Sequence, residues 1–171
     1  TDWLPKQGEF LHYVIDDLAV RIICLDTVIP GVPYGMLCAE RLAWLDAQLA
    51  AEPAKPTIVA CHHPPMDVGL TFSSMVGLSE GGRELAAILA KNPQVQRVIC
   101  GHVHRQITAM FGQRMVWAAP ATCYQFVSDM SDEQLLALTG EPPGFSLHVW
   151  LDDPVAESNL VSHFIPVGDF G

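Results

Sequence analysis

The chain is poor in basic residues. Only nine Lys and Arg stand against nineteen Asp and Glu among its 171 residues, and the formal net charge is −10 at pH 7. An acidic chain repels the phosphate backbone of nucleic acids, and no cluster of Lys or Arg reverses that sign locally. We therefore exclude a nucleic-acid polymer as a partner. An acidic protein that handles phosphate would need a strong local cation, such as a bound divalent metal.

Disulfide and membrane signals are also missing. The five cysteines are odd in number and show no Cys-x-x-Cys spacing, which favours small buried side chains in a reducing compartment over a disulfide framework. No apolar run approaches the ~18 residues that a membrane-spanning helix needs. We therefore expect a cytoplasmic protein with no membrane partner. Half of the residues are hydrophobic, which is enough to build the core of one ordinary domain.

Apolar patterning predicts alternating strands and helices in the middle of the chain and hairpins at both ends. The predicted strands are 11–15, 19–25, 57–61, 95–100, 106–111, 114–118, 145–151 and 160–167. The predicted helices are 39–51 and about 83–91. Asp16-Asp17 suits a tight hairpin turn, 64–80 is expected to be a loop, and 128–144 a helix-rich peripheral insert starting near Ser131. The pattern indicates a mixed α/β fold.

Two of these strands are followed at once by histidine. Cys-His-His-Pro-Pro at 61–65 ends one, and Gly-His-Val-His at 101–104 follows the other. A strand–helix–strand connection puts both ends on the same side of a sheet, where ligands gather. Neutral imidazole is a common metal ligand, and three or more converging imidazoles suit zinc, iron or manganese. Either motif alone is usually an ordinary turn, but the pair in this order predicts a metal site.

The two motifs resemble the last two signature blocks of the calcineurin-like metallophosphoesterases. The resemblance is closest to the bacterial cyclic-nucleotide phosphodiesterase and glycerophosphodiesterase branch, and it runs from about residue 8 to 127. It implies an α/β fold, the C-terminal half of a four-layer α/β/β/α sandwich with mixed sheets. It also implies a hydrolase in which two metal ions (iron, manganese or zinc) grip a small phosphodiester while metal-bound hydroxide attacks phosphorus.

The resemblance assigns roles to individual residues. His62 and His102 would bind one metal, and His104 would bind the other. His63 would face the substrate or support the ligands from behind, and we assign it a catalytic role. Substrate contacts are expected from three residues in nearby loops, namely Gly69, Phe72 and Tyr124.

The family's upstream blocks are not found in this sequence. No Asp is followed two residues later by His, neither Asn precedes His, and Gly-Asp occurs only at 168–169. The first residue is Thr1 and not Met. We therefore expect 1–171 to be the C-terminal part of one metallophosphoesterase domain whose N-terminal metal-binding half is absent. Such a piece would have partial or no metal occupancy and would be inactive or nearly so.

Two other functions stay open at this point. His62, His102 and His104 can instead be read as a single three-histidine zinc site with an open coordination position. The chain can also be read as a non-enzymatic dimerisation or partner-binding module. Bare apolar surface and a homo-oligomer would be the signs of that third function.

Overall fold

The computed structural model describes residues 6, 8–131, 136–153, 155 and 159–169. Three helices and twelve strands occur within these residues. The helices are α1 (Ala39–Ala51), α2 (Ser73–Val76) and α3 (Gly82–Lys91). The strands are β1 (Tyr13–Ile15), β2 (Arg21–Leu25), β3 (Gly35–Met36), β4 (Thr57–Cys61), β5 (Leu78–Glu80), β6 (Val95–Cys100), β7 (Ile107–Phe111), β8 (Arg114–Ala118), β9 (Gln125–Phe126), β10 (Leu138–Thr139), β11 (Gly144–Trp150) and β12 (Leu160–Pro166).

A six-stranded mixed sheet organises the chain. Its strand order is β1-β2-β4-β6-β8-β7. The four inner strands run parallel, and the two edge strands, β1 and β7, are antiparallel to their neighbours. The parallel register pairs Leu25 with Cys61 and Ala60 with Ile99. The carboxyl ends of β2, β4 and β6 therefore lie side by side at one edge, which confirms the predicted mixed α/β fold.

The leucine faces of α1 and α3 form the core on one side of this sheet. Leu42, Leu45 and Leu49 recur at helical spacing on α1, and Leu85 and Leu89 do so on α3. All five are buried in one cluster with the inner strands. Fully burying a leucine side chain contributes about 1.5–3 kcal/mol. The helix layer is therefore held mainly by its apolar face.

The β11–β12 hairpin lies against the opposite face of the sheet. Its two strands pair antiparallel from Gly144–Pro166 to Trp150–Leu160, as expected from the sequence. Buried Arg97 on β6 donates from Nη2 to the carbonyl of Leu160 at 3.0 Å and from Nη1 to Ser162 Oγ. The described residues thus supply a helix layer, a central sheet and two strands of a further layer.

Three local predictions were wrong. The turn between β1 and β2 spans 16–20, and not only Asp16-Asp17, because β2 begins at Arg21. The Nε of Arg21 pairs with Asp16 Oδ1 at 3.3 Å. The stretch 64–80 is not all loop, since it contains α2 and also β5, which pairs with β3. The insert at 128–144 was expected to be rich in helix, but within 136–144 the structure has a strand, β10, paired with β9.

The capping-box helix start expected at 131–134 lies mostly outside the described residues. Among those residues, no helix combines the length and the apolar character that crossing a bilayer requires.

Candidate metal centre

Three histidines meet where β4 and β6 end. His62 and His63 follow β4 directly, and His102 follows β6 after Gly101. The two ends are tied together, because the backbone N–H of Gly101 donates to the carbonyl of His62 at 3.0 Å. The sequence predicts that His62, His63, His102 and His104 converge, and the structure groups the first three of them.

The imidazoles of this cluster lie at ligand spacing. His62 Nε2 is 2.8 Å from His102 Nδ1, and one nitrogen from each of the three rings lies within 4.8 Å of the others. Zinc binds imidazole nitrogen at about 2.0–2.1 Å, so two nitrogens on one ion lie at most about 4.2 Å apart. Small side-chain movements would bring the rings to that spacing.

One ring nitrogen of the cluster has no hydrogen bond within the described part of the chain. His102 Nε2 is buried and has no hydrogen-bond partner among the described residues. Buried polar atoms are nearly always paired, so an exception marks a place for a further group. The residues present therefore fit a first-row metal ion bound by imidazole.

Burial keeps the cluster neutral. It lowers the pKa of His62, and the nearby His104 lowers it further. Burial, followed by the proximity of His102 and His62, lowers the pKa of His63 to about 4. The pKa of His102 is lowered by burial and then by His62. Since a metal binds the neutral ring, all three are ready to act as ligands at pH 7.

The Gly-His-Val-His turn has an unusual backbone. His102 has φ 68° and His104 has φ 50°, both in the left-handed region that side chains other than glycine rarely adopt. The N–H of Val103 closes the turn on the carbonyl of Gly101 at 2.8 Å, and the Val103 side chain is fully buried. Such conformations cost of order 1–3 kcal/mol each and gather at functional sites. Here the turn aims two histidines in different directions.

His104 stands apart from the three-histidine cluster. Its Nδ1 lies 3.0 Å from the carbonyl oxygen of Tyr124, and its ring stacks on Phe126 with centroids 4.6 Å apart. A carbonyl only accepts, so Nδ1 carries the proton and Nε2 keeps its lone pair. His104 thus has the tautomer that binds a metal through Nε2.

Thr27 and Gly35 are site residues that the sequence reading did not identify. Thr27 Oγ1 lies 2.7 Å from His63 Nδ1, and both side chains are buried. A Cβ on Gly35 would lie 2.4 Å from the same nitrogen and 2.8 Å from the carbonyl oxygen of Thr27. The available signal was the strand end itself, because Thr27 follows β2, the parallel neighbour of β4.

Asp26, which precedes Thr27, acts as a turn residue. Its carboxylate accepts from the N–H of Leu11 at 3.1 Å and from that of Val28 at 2.8 Å. This agrees with the turn role that suits an Asp at a strand end.

The three expected substrate residues have different surroundings. Tyr124 is 42% exposed, with its ring 4.9 Å from that of His104. Gly69 has φ 75° in an open turn, where Asp67 accepts its N–H at 2.8 Å. Phe72 is 5% exposed and packs in the core against Phe126, with centroids 5.5 Å apart. Of the three, only Tyr124 contacts one of the four candidate histidines.

An apolar cavity lies along the loop that follows Thr27. Its volume is about 460 Å³, and its lining residues are Pro33, Tyr34, Met75, Gly77 and Ser79. Pro33 links it to the histidines, because the backbone of Pro33 lies close enough to His63 and His102 to oppose the lowering of their pKa. A group bound to the cluster would therefore have apolar space beside it.

The fold and the cluster define a class: an α/β chain with an imidazole cluster at parallel strand ends. The sequence profile of the calcineurin-like phosphoesterases matches residues 2–106. The chain therefore belongs to the calcineurin-like phosphoesterase family.

Two relatives show the range of the similarity. A probable glycerophosphodiester phosphodiesterase of Arcobacter nitrofigilis is 36% identical over 169 residues, which cover 99% of this chain and 60% of that protein. A 3',5'-cyclic adenosine monophosphate phosphodiesterase of Escherichia coli is 32% identical over 139 residues, which cover 72% of this chain and 50% of that protein. The chain thus spans only 50–60% of the length of these relatives.

Solved structures support the fold. A dimetal phosphatase from Danio rerio matches with a TM-score of 0.51 and 14% identity, covering 66% of this chain and 49% of that one. GAP50, the anchor in the inner membrane complex of Plasmodium, matches with a TM-score of 0.57 and 19% identity, covering 91% of this chain and 49% of that one. At these identities the likeness concerns the fold alone.

Proposed function

We propose that this chain supplies part of a two-metal site that hydrolyses small phosphodiesters. The observation that carries the proposal is the cluster of neutral imidazoles at the joined ends of β4 and β6. The names of the two relatives, one for glycerophosphodiesters and one for cyclic AMP, indicate the substrate class. When bound, the metals would polarise the phosphate and lower the pKa of a bound water.

Each histidine has a distinct task in this proposal. His62 and His102, whose nitrogens are 2.8 Å apart, hold one ion. His104 holds the second ion through Nε2, because its Nδ1 is committed to the carbonyl of Tyr124. His63 faces the substrate, and Tyr124 borders the same site. Iron, manganese and zinc all suit this imidazole set.

The rest of the site would come from ligands outside these 171 residues. The chain spans only part of its relatives' length, and the family's carboxylate and amide motifs do not occur at their expected place in the sequence. Three imidazoles alone leave each ion with too few ligands for a closed two-metal site. The isolated chain would therefore bind metal weakly and hydrolyse little or no phosphodiester.

The cluster itself favours a second candidate, a single zinc held by three histidines. The grouped nitrogens belong to His62, His63 and His102, and three imidazoles with an open fourth position form a known catalytic zinc geometry. In this case the third ligand is His63, and not His104 as expected from the sequence.

Metal stoichiometry separates the two candidates. The purified 171-residue chain would be dialysed against Zn²⁺ or Mn²⁺ at pH 7.5, and its metal content measured by elemental analysis. The two-metal proposal expects weak, substoichiometric binding that His62→Ala and His102→Ala remove. One tightly held zinc per chain, lost in His63→Ala, would establish the second candidate instead.

A further inference from the structure

We infer that Thr27 is a positioning residue that holds His63 in the tautomer with the proton on Nε2, so that His63 donates a hydrogen bond and does not bind metal. The inference rests on the proposed function for its meaning, because it gives His63 its task beside the metal ligands. Its evidence, however, is the hydrogen bonding around one buried hydroxyl.

The hydroxyl has few possible partners. Thr27 is 1% exposed, and within the described part of the chain its Oγ1 makes hydrogen bonds only to His63. One bond joins Oγ1 to Nδ1 at 2.7 Å, and the other is accepted from the backbone N–H of His63 at 3.5 Å. A threonine hydroxyl has one proton to donate and two lone pairs.

Only one arrangement of hydrogen bonds gives the hydroxyl proton of Thr27 an acceptor. If Nδ1–H donated to Oγ1, the hydroxyl proton of Thr27 would be buried with no acceptor among these partners, which is unfavourable. If instead the hydroxyl donates to Nδ1 and accepts from the backbone N–H, the hydroxyl proton, Nδ1 and the backbone N–H all have partners. His63 then carries its proton on Nε2.

The packing around His63 leaves its ring little room to turn over. A Cβ at Gly35 would lie 2.4 Å from Nδ1 and 2.6 Å from Cγ of His63, so the Gly35 backbone is packed directly against this side of the ring. Turning the ring over would place a carbon against Thr27 Oγ1 and leave the hydroxyl proton without an acceptor. Thr27 and Gly35 together fix which edge of His63 faces the cluster.

This tautomer divides the cluster by role. A nitrogen that carries a proton has no lone pair for a metal, so His62 and His102 remain the ligand pair and His63 becomes a donor. A neutral donor beside bound metal is suited to a phosphate oxygen of the substrate. The serine at position 27 of a Thr27→Ser variant would keep this function, while Thr27→Val would remove the hydroxyl at nearly constant volume.

Histidine tautomers can be read directly by nuclear magnetic resonance. The full 171-residue chain, labelled with ¹⁵N-histidine and free of metal at pH 7.5, would be recorded as wild type, Thr27→Ser and Thr27→Val. We expect the ring ¹⁵N shifts of His63 to show a protonated Nε2 in the wild type and in Thr27→Ser. In Thr27→Val we expect loss of that single tautomer, with His104 unchanged as an internal control.

The opposite result is equally clear. A protonated Nδ1 of His63 in the wild-type chain would overturn the inference, even if Thr27→Val failed to fold. Addition of Zn²⁺ gives a second readout, in which Nε2 of His63 keeps its proton while His62 and His102 shift. Loss of that proton on Zn²⁺ binding would also overturn it. Tight binding of one Zn²⁺ per chain would count against the proposed function, while the metal-free tautomer remains an independent test of Thr27.

Discussion

His62 Nε2 and His102 Nδ1 lie 2.8 Å apart, although the residues are 40 positions apart in the sequence. The parallel pairing of β4 with β6 and the Gly101–His62 backbone bond hold them there. We expect this pair to bind one cation through a lone pair from each ring. The loss of either ring should therefore affect metal binding more than the loss of any other histidine.

Replacing His102 tests this pair. We expect His102→Ala to lower Zn²⁺ affinity by at least about tenfold, since altering even the residues that support a metal ligand has effects of that size. Isothermal titration calorimetry on the metal-free chain would measure it. His163→Ala is the matched control, because His163 is exposed on β12 in the other layer. Equal loss in both variants would point to nonspecific binding.

The position of Gly35 predicts a steric effect. Gly35→Ala would place a methyl group 2.4 Å from His63 Nδ1 and 2.8 Å from the Thr27 carbonyl oxygen. Overpacking of this kind costs about 1–3 kcal/mol, and urea unfolding would measure it. Gly140→Ala serves as the control, because nothing lies within 4 Å of a Cβ there. Similar free energies of unfolding for the two variants would contradict the described packing.

The pH dependence of stability follows from buried histidines. Burial lowers the pKa of His12 from 6.5 and that of His63 to about 4. Between the unfolded and folded values the unfolded chain binds more protons, so stability rises with pH. The contribution is complete above pH 6.5 and is lost as pH falls from there. We expect the metal-free chain to show a falling melting temperature from pH 6.5 to 5.

His12→Asn isolates one part of that slope. His12 Nδ1 accepts from the N–H of Asp26 at 3.0 Å, and the amide oxygen of asparagine can accept the same bond without titrating. The variant loses the ring stacked on Trp44, so it should be less stable at every pH. Its slope between pH 6.5 and 5 should nevertheless be shallower. An unchanged slope would show that His12 does not stay neutral in the folded chain.

The attachment of the β11–β12 hairpin depends on Arg97. The guanidinium reaches Leu160 and Ser162 and lies over Trp117, 5.9 Å from the ring centroid. Hydrogen bonds to charged groups contribute about 1.5–3 kcal/mol each. In Arg97→Ala we expect amides of β11 and β12 to exchange faster with deuterium while those of β4 keep their protection. Uniform loss of protection across both layers would mean that the hairpin does not open separately.

The long periodic elements could be predicted from the sequence, and the short ones could not. α1, β4 and β6 have the predicted bounds, because their apolar patterns are continuous over five to thirteen residues. β3 and β9 have two residues each, too few to show a period. Their pairing with β5 and β10 depends on distant parts of the chain.

The site could be predicted in its ligands but not in its supports. Strand order places His62, His63 and His102 together, and a sequence can indicate that order. The left-handed φ of His102 and His104 points their side chains in different directions, and the residue types do not predict such a backbone. Thr27 was missed because it reaches His63 through the parallel pairing of β2 with β4, which the residue pattern does not show.

Hydrolysis by a longer protein tests the central claim most directly. The reading frame extended upstream of Thr1 would be expressed, and hydrolysis of bis(4-nitrophenyl) phosphate measured with and without Mn²⁺ or Zn²⁺. We predict metal-dependent hydrolysis that His102→Ala lowers by at least about 100-fold, and that His163→Ala leaves unchanged. Hydrolysis that is independent of metal, or equal in His102→Ala and the wild type, would contradict the assignment of these histidines to a two-metal phosphodiesterase.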